Sequence, residues 1–243
     1  MENKLLLTQW FNDHLAGVAN SILNAVNVKA EDPAHPWPDW LVMEILVVAL
    51  LMLLFAILRP RLSVDKPGRL QHIFEVLWGF FKTTAEESGI EHSEKYVPYF
   101  ATIFIFILSM NLIGLVPAFE SPTMAPMVTL GLALCTFIYY NFWGFRAHGI
   151  KYVLQLMGPV WWLAPLMIPI EIFSHLARPM SLTIRLYANM LAGEQVTLAF
   201  LGVAKLIVPV IFMGLHVFVA FLQAYIFMLL SMVYVRGATA HDH

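Results

Sequence analysis

Long stretches of apolar residues restrict the folds open to this chain more than any other feature. Residues 40–58 carry a single charged side chain, Glu44, and further apolar segments follow. At 1.5 Å per residue, about 20 such residues form a helix that crosses the hydrocarbon core of a bilayer. Charged residues make up 12% of the sequence, against ~25% in soluble domains. The sequence therefore predicts an all-α, polytopic membrane protein.

We predict five membrane-crossing segments within a single membrane domain of residues 1–243. The crossing segments are residues 40–58, 99–116, 127–145, 160–202 and 206–235. In residues 67–88, apolar side chains recur at helical spacing among charged ones, which is typical of an amphipathic helix lying in the membrane interface. A soluble coiled segment is the alternative there. Residues 1–38 precede the first crossing and form a separate amino-terminal segment.

The last two apolar segments are longer than a perpendicular crossing requires. Residues 160–202 would extend roughly 60 Å as one helix, about twice the thickness of the hydrocarbon core. We therefore expect both segments to be tilted, as a hairpin, or to lie partly outside the bilayer. Four prolines should bend the first of them, namely Pro159, Pro165, Pro169 and Pro179.

Basic residues predict the orientation, because they are enriched in cytoplasmic loops. With five crossings, one side carries Arg59, Arg61, Lys66, Arg69, Lys82, Lys95, Arg146, Lys151 and Arg236. The opposite side carries Lys29 and Lys205 against Glu31, Asp32, Asp39 and Glu120. The amino terminus is therefore expected outside and the carboxyl terminus in the cytoplasm.

Several classes of function find no support in the sequence. The basic residues are dispersed, so we expect no nucleic-acid partner. Cys135 is the single cysteine and permits neither an internal disulfide nor a cysteine metal site. Glu171 and His175 are in the wrong order for a zinc motif, and no glycine-rich phosphate loop occurs. A haem between His175 and His216 is a weak alternative. We expect no cofactor, no metal and no catalytic site in this chain.

Arg185 is the most informative single residue. It lies in an apolar run that extends with few interruptions from about residue 158 to residue 235. A guanidinium stays charged, and placing it near a bilayer centre costs roughly 3 kcal/mol or more. Such residues normally face a cavity or a partner and mark an ion pathway. An arginine that extends toward the membrane surface is the alternative, but the flanking apolar sequence is long on both sides.

Other polar residues accompany Arg185 in the last two segments. They are Glu171, His175, Ser181, Asn189 and Glu194 on one segment, with His216 and Gln223 on the other. Ser181, Arg185 and Asn189 are four residues apart and share one helix face. Glu171 and Glu194 would lie about 35 Å apart on a straight helix, close to the thickness of a membrane. Titratable groups thus approach Arg185 from both sides, as two half-channels separated by a fixed cation would require.

The stretch of residues 178–194 resembles subunit a of the bacterial F-type ATP synthase. It contains Arg-Leu-x-x-Asn-Met-x-Ala-Gly-Glu from Arg185 to Glu194, and residues 216–227 and 109–117 add support. The likeness is strongest over about residues 170–236. It implies a proton-translocating subunit of the inner membrane whose partners are a ring of c subunits, b-type stalk subunits and the remaining synthase subunits.

The resemblance also implies roles for individual residues. Arg185 matches the essential arginine beside the c ring, and Asn189 and Gln223 match polar groups near it. Glu194 and His216 match the pair of the outer half-channel, whereas Glu171 and Ser181 match positions of the inner one. Gly114 stands where some bacterial relatives have an acidic residue, so Glu44 and Glu120 are candidates for that task.

Two further interpretations of the residues stay open at this point. His175 does not correspond to a family position, and we predict from its spacing to Glu171 that both line the inner path, with packing as the alternative for His175. Two other functions are also compatible with a polytopic membrane protein. A secondary proton-coupled transporter would have interrupted helices in both halves. A membrane scaffold or redox subunit would not need Arg185.

Overall fold

The computed structural model describes residues 5–25, 33–63, 67–90, 92–116, 119–149, 152, 164–201 and 207–240. Seven α-helices occupy most of these residues, and no strand occurs among them. The helices are α1 (Leu6–Ala25), α2 (Asp39–Leu58), α3 (Arg69–Glu87), α4 (Val97–Ile113), α5 (Pro126–His148), α6 (Ala164–Leu201) and α7 (Ile207–Thr239). The predicted all-α class is confirmed, and α3 lies where the amphipathic helix was expected.

Three helical segments of the described chain are long and apolar enough to cross a membrane. They are Asp39–Arg61, Pro126–His148 and Ile211–Thr239, and α4 is apolar but shorter. Charged residues interrupt the apolar sequence of α6, which is not among the three. The number of five crossings, the assignment of residues 1–38 to the outside and the tilt of the last helices stay predictions.

Proline and glycine positions explain several helix ends. Pro126 starts α5, where the missing N–H costs no hydrogen bond. At its other end Gly149 has a φ of 59° and donates its N–H to the carbonyl of Phe145 at 2.7 Å. In contrast, α6 continues without interruption through Pro169 and Pro179, although each proline removes one backbone hydrogen bond. Pro159 lies outside the described residues.

The central packing unit joins α4, α5, α6 and α7. Helix α4 contributes Phe100, Phe104, Ile107 and Met110 to the core, each almost fully buried. It packs on α7, while α5 contacts both α6 and α7. Helices α6 and α7 form the predicted hairpin, because Asn189 meets Gln223 and Gly193 meets His216, as an antiparallel pair requires.

Large apolar side chains cover much of the outer surface. Phe173, Met52 and Ile211 are exposed by 76%, 68% and 66%. A water-soluble monomer rarely exposes so many. Such a surface fits contact with lipid or with other membrane subunits.

Candidate functional site in the last two helices

Arg185 lies on the open side of α6. Its neighbours Leu182, Leu186 and Met190 are buried against the rest of the chain, whereas Ser181 and Asn189 are exposed and Arg185 is half-buried. In the part of the chain that the structure describes, Arg185 has no hydrogen bond or ion pair. The residues of the predicted polar stripe, Ser181, Arg185 and Asn189, are thus available to a partner rather than directed into the core.

Asn189 connects this stripe to α7. Its side-chain Nδ2 donates a hydrogen bond of 2.8 Å to Oε1 of Gln223, which is 2% exposed. The structure therefore brings together two residues that the sequence placed near Arg185. The bond fixes the orientation of both amides one helical turn from Arg185.

A glycine allows His216 to approach the backbone of α6 beside Glu194. A Cβ atom added at Gly193 would lie 3.0 Å from Nδ1 of His216, nearer than ordinary contacts. The imidazole consequently rests against the backbone of the residue that precedes Glu194. Among the described residues, Oε2 of Glu194 and Nε2 of His216 are buried and have no hydrogen-bond partner in the protein. Buried polar atoms of this kind normally bind water or another polar group.

Two cavities meet at His216. The first has a volume of about 310 Å³, and its lining includes Glu120, Glu194 and His216. The second, of about 230 Å³, is lined by Asn189, Gly193 and His216 among others. Both are large enough for several water molecules. Polar groups thus follow one another from Glu120 past Glu194 and His216 to Asn189.

Gly114 is required by packing on the wall of the first cavity. A Cβ atom at Gly114 would lie 2.8 Å from Cβ of Ser121. Ser121 donates to the carbonyl of Met110 at 2.9 Å and contacts Thr123, which donates to Asn111. Any side chain at Gly114 would disturb this buried network. Of the two acidic candidates for the missing carboxyl group, Glu120 lines the cavity, whereas Glu44 is not among its described lining residues.

Aromatic side chains surround the other end of the polar stripe. The guanidinium of Arg178 lies 5.8 Å from the ring of Tyr140 and 5.3 Å from the ring of Tyr234. Nδ1 of His175 is 3.5 Å from the hydroxyl of Tyr140, a long contact. Arg178 therefore joins α5, α6 and α7. Sequence reasoning missed this cluster, although Arg178 lies two helical turns before Arg185.

Glu171 lies near the same cluster. Tyr152 follows α5, and its pKa is raised to about 12, chiefly by burial, with Tyr140 and Glu171 acting in the same direction and Arg178 in the opposite one. The charges of Glu171 and Arg178 thus both affect the pKa of the Tyr152 hydroxyl. Glu171 itself is half-buried. The structure places Glu171 and His175 on one face of α6, four residues apart, and within the described part of the chain no hydrogen bond joins them. Within the described ranges, no group of three or more potential ligands could hold a metal ion.

Fold and site together define a polytopic membrane protein whose ionisable groups follow its last two helices. A family model described as ATP synthase A chain matches residues 41–236. The chain is 58% identical over 234 residues to ATP synthase subunit a of Solibacter usitatus, covering 96% of this chain and 100% of that protein. It is 49% identical to ATP synthase subunit a of Koribacter versatilis and 35% identical to that of Trichlorobacter lovleyi, with 100% of each chain covered. The chain belongs to the ATP synthase A chain family, the a subunits of F-type ATP synthases.

Proposed function

We propose that this chain is the stator subunit that carries protons to and from a rotating ring of c subunits. It provides two offset half-channels, which Arg185 separates. The observation that carries the proposal is the position of Arg185 on the open face of α6, with Glu194 and His216 on one side along the helix and Glu171 on the other. A bacterial inner membrane holds the chain, and b-type stalk subunits and the remaining synthase subunits complete the complex.

The outer half-channel leads past Glu194 and His216. Their unpaired buried atoms and the two adjoining cavities support a water-filled proton path that begins near Glu120. From His216 the path continues to Asn189 and Gln223, whose hydrogen bond positions them beside Arg185. Glu120 supplies the carboxyl group that Gly114 cannot.

The inner half-channel passes Ser181 and Glu171, with His175 beside them. Of these residues, Glu171 is the proton acceptor nearest the cytoplasmic end of the path. Arg178, held between Tyr140 and Tyr234, keeps α6 in register with α5 and α7 at this level.

The chemistry of the ring explains the need for Arg185. A ring carboxyl group can face lipid only when it is neutral, since its charged form is strongly disfavoured there. Beside Arg185 the opposite charge favours the carboxylate, so the proton leaves through the inner path. The next proton arrives through the outer path. A membrane potential contributes about 2.3 kcal/mol per proton per 100 mV, which gives the rotation its direction.

Substitution of Arg185 tests the proposal. Lysine is a compact point charge with a movable pKa, so Arg185→Lys should abolish ATP-driven proton pumping in vesicles that hold the complete complex. Arg185→Ala should also let protons leak passively. Arg146→Lys is the matched control, because Arg146 is exposed in the last turn of α5 and takes no part in the proposed paths, so pumping should persist. Substantial pumping by Arg185→Lys would refute the assignment.

Accessibility tests the outer path separately. Cysteines replacing Glu194 and His216 should react with silver ions added from outside, because both positions line the cavity of about 310 Å³. Cysteine at Phe173, which is 76% exposed on the apolar surface, is the comparison. If Phe173→Cys reacts while both channel cysteines stay inert, the outer path is misplaced.

A further inference from the structure

A large apolar groove lies between α2, α3 and α4. Its volume is about 710 Å³, within the ~300–1,000 Å³ of most small-molecule sites. Phe55 of α2 and Phe74 of α3 meet on one wall, with ring centroids 5.5 Å apart. Phe81 of α3 also lines the groove, and its ring packs against that of Phe104 of α4, with centroids 5.2 Å apart. The groove takes no part in the proton paths proposed above.

The groove is open to the surroundings of the protein. Among its lining residues, Met52, Leu62 and Trp78 are exposed by 68%, 55% and 44%. An apolar groove with such exposed walls, in a membrane protein, is accessible to a hydrocarbon chain from the bilayer.

Three arginines gather at one end of the groove. Arg59 and Arg61 lie in a 3-10 turn that directly follows α2, between the lining residues Leu58 and Leu62. Arg69 begins α3. Two hydrogen bonds hold these segments together: the N–H of Ser63 donates to Oε1 of Gln71 at 3.0 Å, and Nε2 of Gln71 donates to the carbonyl of Ser63 at 2.9 Å.

Positive charge predominates at this end. All three arginines are exposed, and among the described residues at this end the acidic group is Glu75, which accepts a hydrogen bond of 2.7 Å from Gln71. Guanidinium groups bind phosphate oxygens in a bidentate geometry. Basic pockets beside membrane helices accordingly bind the head groups of anionic lipids.

We propose that this groove binds an anionic phospholipid. Its acyl chain lies between α2, α3 and α4, and its phosphate head group contacts Arg59, Arg61 and Arg69. An apolar groove next to three exposed cations favours a lipid over an apolar helix of another subunit, because such a helix would cover the groove without contacting the cations. The bound lipid fills the space between α2 and the amphipathic α3, and so attaches α3 to the membrane.

Photochemical labelling of the complete purified complex in lipid nanodiscs tests this proposal. The probe is phosphatidylglycerol with a diazirine near the end of one acyl chain, and the comparison is phosphatidylcholine with the same chain. Cross-linked peptides are mapped by mass spectrometry. Phosphatidylglycerol should label the groove positions near Met52 and Trp78 several-fold more than phosphatidylcholine. Ile138 and Phe142, exposed by 65% and 57% on α5, should be labelled equally by both.

Charge substitutions complete the test. Each exposed cation near an anionic lipid contributes roughly five-fold to binding, so Arg59→Gln with Arg61→Gln should remove most of the preference for phosphatidylglycerol. Arg146→Gln, which removes an exposed charge beside Trp143 on α5, should keep it. Equal labelling of the groove by both lipids would overturn the head-group contact. Cross-links from groove positions to another subunit, with no lipid label, would overturn the lipid as occupant.

Discussion

The contact between Gly193 and His216 allows the outer path to be perturbed by one methyl group. A Cβ atom at residue 193 would lie 3.0 Å from Nδ1 and 3.1 Å from Cε1 of His216, inside the 3.4 Å at which ordinary contact begins. The ring belongs to α7, so Gly193→Ala must displace it by a few tenths of an ångström. Its buried Nε2 moves with it, relative to Glu194.

We expect this displacement to impair proton transfer without unfolding the helix. Alanine in a helix interior is favoured over glycine by about 1 kcal/mol, which offsets part of the steric cost. A misplacement of about 1 Å in a reacting geometry can cost on the order of 100-fold in rate. A shift of a few tenths of an ångström should therefore slow pumping by roughly three- to tenfold, and Gly193→Val should slow it further.

The assay is ATP-driven proton pumping in vesicles, normalised to the amount of assembled complex. Gly214→Ala is the matched control, since it makes the same change in α7 at a position with no atom within 4 Å of the added Cβ. Gly214→Ala should pump normally. Equal rates for Gly193→Ala and Gly214→Ala would refute the claim that the position of His216 controls the outer path.

Three further outcomes are expected. Glu171→Gln should slow pumping by roughly 100-fold, in the range of lost proton-transfer groups, and a normal rate would remove Glu171 from the path. His175→Ala should leave the pH profile of pumping unchanged, because its 3.5 Å contact with Tyr140 favours packing; a shifted profile would make it a proton relay. Outside the membrane, the hydrogen bond and charge of Lys82 lower the pKa of Glu94. The pair therefore stabilises the fold at neutral pH, and this contribution is lost as pH falls through the folded pKa of Glu94. Because exposed ion pairs contribute little, Glu94→Gln should lower the Tm at pH 7 by no more than about 2 °C.

The helices could be predicted from the sequence because their apolar runs are long. Residues 40–58 and 127–145 correspond closely to α2 and α5, since few polar residues obscure their limits. Helix α3 was recognisable from the spacing of its apolar residues. The shared face of Ser181, Arg185 and Asn189 required only helical geometry. Helix α6 passes through Pro169 and Pro179 without a break, and the bending expected at the prolines stays a prediction.

Contacts between distant segments could not be predicted in the same way. Tyr140 and Tyr234 are separated by more than 90 positions and look like ordinary apolar-helix residues, yet both contact Arg178. The bond between Asn189 and Gln223 depends on the register of the α6–α7 hairpin, which no single-helix periodicity defines. The role of Gly193 likewise depends on the position of His216. These features follow from packing, which short-range patterns do not specify.

The exposure of the polar stripe has a consequence for the assembled state. Arg185 is half-buried on a face that also presents Ile184 and Met180, exposed by 58% and 59%. Lipid against this face would meet a guanidinium at a cost of roughly 3 kcal/mol or more. A partner with an ionisable carboxyl group at the same depth would instead be stabilised in both protonation states. The charged carboxylate would be stabilised by Arg185, and the neutral acid by contact with the neighbouring apolar side chains. One cation surrounded by apolar residues on an open face therefore suits a partner that moves past it and carries carboxyl groups that change their protonation state. A permanently docked partner would instead need a carboxylate that stays charged beside Arg185.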